Sequence, residues 1–448
     1  MREEPPDGPQ VTPHARTGLM ARASQPIGLA GLAAVNLLVT FAYQWLPVTA
    51  LGVGVETDAL FVSAIIPQVL ANVAGSGLPS VLTPMLATAG DRFRERAWTY
   101  LQGTALAAVA AAGVLVLLAP YWSPWLAPGF DPAARALTAS LVRVQLVGAW
   151  ATTVLMVAWA VNYAAHRFVW VEASGIAAGL VGLLVGWLGV GRLGVAAWAW
   201  AMTARALVHL VLCLPALGRY ARPNWSRAEG AAVGRRLAPL VAGAVYFKLD
   251  PLVDRLLASF GPSGQLSVFH LANLGYAAGN QILTRAIVNP VMPGLATLAQ
   301  APDGRAAFER AVRRRLVFVQ GLALAAWLGL LAVGRPVMHV ALGRWMRAAE
   351  IDLLFALLVA LLGVWLGGAA GQVLTVAFFA MGETATPTRV GVAGFTAAIP
   401  LKLLAYRWFG IEGLAVAASI YYVGTAVAHH AFLTRALRVH WAGADGRA

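Results

Sequence analysis

Most of the chain consists of largely uncharged apolar runs of twenty or more residues, separated by short turns that carry arginine. About 20 helical residues cross a bilayer core of ~30 Å, and lipid offers no partner for an exposed peptide group, so each run reads as a transmembrane helix. Twelve are expected, near 27–50, 58–88, 98–120, 134–163, 168–190, 193–217, 236–260, 265–298, 314–341, 351–381, 388–407 and 412–436. The runs are too long and unbroken to be the ~10-residue alternating strands of an outer-membrane barrel. Composition agrees. Only 12% of the 448 residues are charged and 59% are hydrophobic, with a mean hydropathy of +0.70. A soluble chain, with about 25% charged residues, needs far more polar surface than this. The expected class is an all-α polytopic membrane protein.

The charge pattern orients it. The net charge is +14, which in a soluble protein would suggest nucleic acid. Here it reads as arginine concentrated in cytoplasmic loops, and no nucleic-acid partner is expected. With the N-terminus in the cytoplasm, the inner segments hold 21 cations and the outer segments six. Both termini are then cytoplasmic. The longest polar connection, 218–235, carries four arginines and falls between the sixth and seventh runs. It divides the chain into a 27–217 lobe and a 236–437 lobe of six helices each with a cavity between them, as in many transporters, the alternative being one continuous bundle with a long loop. Residues 1–26 and 438–448 are expected to be unstructured cytoplasmic tails. The first 22 residues are polar and lack the apolar core of a cleavable signal.

Ionisable groups inside a membrane are costly and mark function by default. The set comprises Arg143, Arg205, Lys248, Asp250, Asp254, Arg255, Arg285 and Lys402, with Glu172 near an end of the fifth run, where an interfacial place is the alternative. The seventh run is the densest. Lys248 and Arg255 share one helical face, and Asp250 and Asp254, one turn apart, share another. Pro251 removes a backbone donor and should bend the helix beside those carboxylates. That pair makes Asp250 a candidate site for a coupling cation, Na+ or H+; the same charges could equally pair with neighbouring helices. Pro67, Gly75, Gly77, Pro79 and Pro84 in the second run, and Gly275, Gly279, Pro290, Pro293 and Gly294 in the eighth, suggest bending or cavity-lining segments. Asn72, Asn273, Asn280, Gln281 and Asn289 add amides to the same two runs, suited to a sugar-like ligand or to interhelical bonding.

Other chemistry has no signature. The chain contains no GxxxxGK[ST] phosphate loop, no HExxH and no CxxC, and its single cysteine, Cys213, allows no intrachain disulfide. The histidines are scattered and suggest no metal site; His270 alone lies near the expected cavity. No cofactor is expected, and a transporter rather than an enzyme.

Five segments together resemble a known family. Residues 57–87, TDALFVSAIIPQVLANVAGSGLPSVLTPMLA, resemble the first signature of the MurJ/MviN lipid II flippases. Ala127-Pro128-Gly129-Phe130, then Asn162 with Arg167-Phe168, then Val253 to Ser267, then Val373 to Val390 follow in family order and spacing. The resemblance implies two pseudo-symmetric six-helix lobes around a central cavity in a bacterial inner membrane, within the larger multidrug and polysaccharide exporter superfamily, although family members usually have fourteen helices. It implies passage of an undecaprenyl-diphosphate-linked glycan from the inner to the outer leaflet by alternating access. Where the family places cavity cations, this chain has Leu37, Tyr43, Ala71, Asn72, Leu274 and Val376, and Asn273 stands where the family has an Asp. A diphosphate needs charge-assisted donors, and Lys248, Arg255 and Arg285 remain as substitutes. The family's sodium site also uses an acid in the eleventh helix, and 388–407 has none.

The cavity residues expected on these grounds are Asp58, Asn72, Lys248, Arg255, Asn273 and Arg285, with Asp250 as the cation site. The expected cargo is a polyprenyl-linked glycolipid, with membrane lipid around the protein and envelope-synthesis enzymes as candidate partners. Two other readings stay open: cation-coupled export of small amphiphiles, and a non-transporting scaffold for envelope glycan synthesis.

Overall fold

The computed structural model of the protein describes residues 13–224, 226–283 and 292–445. The described residues form helices and turns, with no strand among them. The first lobe comprises α1 (Pro13–Leu51), α2 (Val55–Ser63), α3 (Ile65–Ala87), α4 (Phe93–Leu117), the short α5 (Ala119–Trp122), α6 (Pro132–Ala164), α7 (Phe168–Leu193) and α8 (Ala196–Cys213). The second comprises α9 (Arg227–Lys248), α10 (Asp250–Ala258), α11 (Gln265–Leu283), α12 (Met292–Gln300), α13 (Arg305–Gly329), α14 (Arg335–Leu342), α15 (Ala348–Ala360), α16 (Leu362–Ala380) and α17 (Ala385–Asp445).

Nine stretches among the described residues are long and apolar enough to cross a membrane. They account for most of the expected crossings, and the physical reasons for the remainder are visible. The last stretch, Ala385–Trp441, is two helices, because Gly410 adopts φ 60°, ψ −143°, a conformation open to glycine and costly for other residues. The seventh crossing, α9 with α10, opens on arginines and carries Asp250, Asp254 and Arg255, which dilute its hydropathy. The eighth, α11 with α12, passes through 284–291, outside the described residues. The protein is thus an all-α, multi-pass membrane protein of two lobes.

Helix ends follow local chemistry. Asp131 caps α6, its Oδ1 accepting from Ala134 N at 2.7 Å, and Pro132 occupies the first turn, where its missing N–H costs nothing. Ser226 caps α9 by accepting from Glu229 N at 3.4 Å, and Glu229 in turn binds Arg96 of α4 at 2.8 Å. The expected 218–235 linker is therefore only partly a loop, since its last nine residues open α9. The expected tails are also shorter. Residues 13–26 and 438–445 are helical, because α1 and α17 propagate outward through residues that include good helix formers, Ala and Arg among them.

Within the first lobe α6 is central, packing on α3, α4 and α8, while α7 packs on α8 and α1. In the second, α16 packs on α17 and α13, and α10 packs on α17. The lobes meet where α1 ends and α2 begins. There one apolar core is shared: Val48, Phe61, Val62 and Ile65 of the first lobe bury against Leu257, Leu266 and Phe269 of the second. Such burial is worth about 1.5–3 kcal/mol per large side chain. Elsewhere α3 packs on α9.

Candidate functional site

Polar groups are set into this shared core. Asp58, on α2, is almost fully buried. Its carboxylate accepts from Gly264 N at 2.6 Å, Ser267 N at 2.8 Å and Ser267 Oγ at 2.5 Å. Those donors are the open first turn of α11, so a side chain of one lobe caps a helix of the other. The helix N-terminus carries partial positive charge, which favours an anion there. Gly264 has φ 90°, and a Cβ on it would run into the Val53 side chain, so glycine also permits the close approach of the lobes.

Beside the cap, Arg255 of α10 donates from Nη1 to the Phe61 carbonyl at 2.6 Å. Its Nη2 lies 3.2 Å from His270 Nδ1, and His270 Nε2 lies 2.9 Å from Gln44 Oε1. A guanidinium only donates, so Nδ1 accepts and Nε2–H donates to Gln44, which is the neutral imidazole. The chain Phe61–Arg255–His270–Gln44 leaves the first lobe and returns to it. The His270 ring lies 4.2 Å from that of Phe61, centroid to centroid. Gly129 N, in the turn before α6, donates to Ser259 Oγ at 3.3 Å. That turn is held by Arg135 Nη2 donating to the Pro128 carbonyl at 2.6 Å.

A second cluster lies inside the second lobe. Lys402, on α17, has a fully buried side chain. Its Nζ is 2.5 Å from Asp250 Oδ1 and 2.6 Å from Asp254 Oδ1. The helix breaks at Leu249, between α9 and α10 and next to Pro251, so Asp250 occupies the first turn of α10. Asp250, Asp254, Arg255, His270, Asn273 and Tyr422 line one cavity of about 230 Å³. A third cluster belongs to the first lobe. Arg205 donates to Thr40 Oγ1 at 2.9 Å and to Asn36 Oδ1 at 3.4 Å, and it lies 5.1 Å from the Tyr43 ring centroid. Asn36 Nδ2 donates to Glu172 Oε2 at 3.0 Å.

The sequence profile of the lipid II flippase MurJ family matches residues 48–444. The chain belongs to the lipid II flippase MurJ family. It is 25% identical over 224 residues to a Vibrio cholerae protein described as "Probable lipid II flippase MurJ"; the match spans 48% of this chain and 42% of that protein. Among solved structures it resembles a lipid II flippase MurJ in an inward closed conformation, with TM-score 0.79, 14% identity, and 93% and 90% of the two chains covered. It also resembles an inward-facing multidrug resistance MATE family transporter, with TM-score 0.72, 14% identity, and 90% and 95% covered. At these identities the likeness is one of fold, and it extends across the MurJ and MATE branches.

Of the residues singled out from the family pattern, the structure brings Asp58 and Arg255 to the lobe junction. It places Asn273 and Asp250 with Arg255 around the 230 Å³ cavity. Asn273 spends one amide donor on its own helix, to the Phe269 carbonyl at 3.1 Å. Asn72 is exposed on α3 and is not among that cavity's lining residues. Lys248 closes α9, and its side chain lies outside the described residues, as does all of Arg285. Asp250, the candidate cation site, is engaged by a cation belonging to the chain. Sequence reasoning did not assign Ser267, Gln44 or the Lys402 pairing. Ser267 is the third residue of α11, where the usual helix-start pattern has Glu or Gln, so no start signal marked it. Lys402 is the one charge in the 390–406 stretch, and so needed an acid from another helix.

Proposed function

We propose that the chain is a flippase-like transporter that carries a polyprenyl-diphosphate-linked saccharide, lipid II or a related glycolipid, from the cytoplasmic to the outer leaflet. The observation that carries this reading is family membership across 48–444, supported by the two-lobe MurJ-like fold. Loop charge puts both termini in the cytoplasm of the inner membrane, so the Asp58–Ser267 junction faces outward. Alternating access then requires that junction to part. Its polar contacts are hydrogen bonds that water replaces on opening, which favours a reversible closure. Arg255, Asn273 and Asn280 line the cavity next to the junction, where a glycan headgroup or diphosphate would find one cation and two amides.

Export of small amphiphiles is the second reading. It is favoured by the MATE likeness and by the internal pairing of the second-lobe charges. Expression in a bacterium depleted of its own lipid II flippase separates the two. Restored growth supports lipid II as cargo. Normal membrane levels without growth remove it, and altered drug susceptibility in the same cells would point to amphiphiles.

A further inference from the structure

The buried Lys402 is the least expected group in the second lobe. Two carboxylates one helical turn apart on α10 face a single nitrogen at 2.5 and 2.6 Å. Remove that nitrogen, and the remaining arrangement is two anionic oxygens converging on a buried point inside a membrane protein. Hard cations bind in such a place. Here the point is taken. We infer that the Lys402 ammonium is a tethered cation that fills, as part of the chain, a site otherwise suited to an exchangeable sodium ion, and that this protein neither binds nor needs one there.

Charge arithmetic favours this. Asp250 and Asp254 contribute two negative charges, and Lys402 and Arg255 contribute two positive ones. Arg255 follows Asp254 in sequence and lines the same cavity. The four groups are neutral together, so a further cation would enter against a balanced site. Burying an ion is costly unless it is paired and hydrogen-bonded, and each carboxylate meets that condition through the same ammonium. The Tyr421 ring lies near the ammonium, its centroid 6.0 Å from Nζ. Lys402 itself has no exposed surface through which water or ions would displace it.

The inference concerns how the proposed transporter is energised, but it stands on ion binding, so its test is independent of the cargo. Purified protein in detergent would be melted in sodium, potassium and choline chloride at equal ionic strength and mildly alkaline pH, where a proton competes poorly for a carboxylate. The wild type should melt at the same temperature in all three. Lys402→Met, similar in length and uncharged, should acquire a Tm that climbs with sodium concentration, as ligand linkage requires. Adding Asp250→Asn and Asp254→Asn should abolish that response. Sodium-specific stabilisation of the wild type would overturn the inference, and that measurement decides the matter if Lys402→Met does not fold. A folded Lys402→Met that is indifferent to sodium would overturn it as well.

Discussion

Asp58→Asn isolates the cap that joins the lobes. The substitution keeps the shape of the side chain but removes its charge, and it turns one oxygen into an NH2 group. Three donors converge on the carboxylate, from Gly264 N, Ser267 N and Ser267 Oγ. The asparagine oxygen can keep the two Ser267 donors, but the NH2 then faces the Gly264 N–H, donor against donor. A hydrogen bond to a charged group is worth about 1.5–3 kcal/mol, and the helix-terminus attraction adds up to about 2 kcal/mol when buried. Allowing for the bonds retained, the junction should lose about 2–4 kcal/mol relative to its opened form, where water solvates either side chain. That shifts the closed-to-open ratio roughly 30- to 1,000-fold. A population about 99% closed would fall to between about 77% and 9%. Spin labels at Tyr121 of the first lobe and Val340 of the second, both exposed, would report the separation by pulsed dipolar spectroscopy. A second, longer distance should appear in Asp58→Asn and be weaker in Ser267→Ala, which loses a single hydroxyl donor. An unchanged distance distribution in Asp58→Asn would refute the argument that this cap holds the lobes together.

Two further substitutions test the same junction. Arg255→Met should leave the Phe61 carbonyl and His270 Nδ1 without their donor, at about 1–3 kcal/mol for each unsatisfied group, and lower Tm in detergent by several degrees; an unchanged Tm would mean water replaces the guanidinium at no cost. Gly129→Leu should push the lobes apart, because a Cβ there already runs into the Ser259 carbonyl and the Phe260 backbone; about 1–3 kcal/mol of overpacking should favour the long label distance, and retention of the short distance would show that the turn yields instead.

The fold was legible in the sequence wherever run length and hydropathy decide it. Apolar runs must be helices in lipid, so crossings, turns and the break at Pro251 follow from local residues alone. The expected split between 388–407 and 412–436 has its cause in the backbone of Gly410, at φ 60° and ψ −143°. The site was much less legible, because its contacts are distant and partly made by the main chain. Asp58 and Ser267 are 209 residues apart, and Arg255 spends its shortest bond on a carbonyl 194 residues away, which no side-chain pattern announces. Asp58 was singled out by resemblance, but the residue type alone does not say that it caps a helix of the other lobe. Lys402 was recognised as an intramembrane charge, whereas its two partners required knowing that α17 lies against α10.

Helix α10 ties these observations together. Asp254 and Arg255 are consecutive and so project about 100° apart around the helix. Asp254 points to Lys402 within its own lobe, and Arg255 points across the junction to Phe61. One short helix of nine residues therefore carries both the ion cluster and the lobe contact. If Lys402 fixes the rotation of α10, and that rotation aims Arg255, the two should be energetically coupled although they share no direct hydrogen bond. Residues that act through one shared element show coupling energies of about 0.5–3 kcal/mol, whereas independent sites add within about 0.5 kcal/mol. Stability should therefore be measured for Lys402→Met, Arg255→Met and the double variant. The double variant should be less destabilised than the sum of the singles, because an α10 already released by Lys402→Met no longer aims Arg255 at the Phe61 carbonyl. Additive losses would mean that the helix is held by its apolar face, with Leu257 packed in the core beside Leu266 and Phe269, and that the two charged clusters are independent.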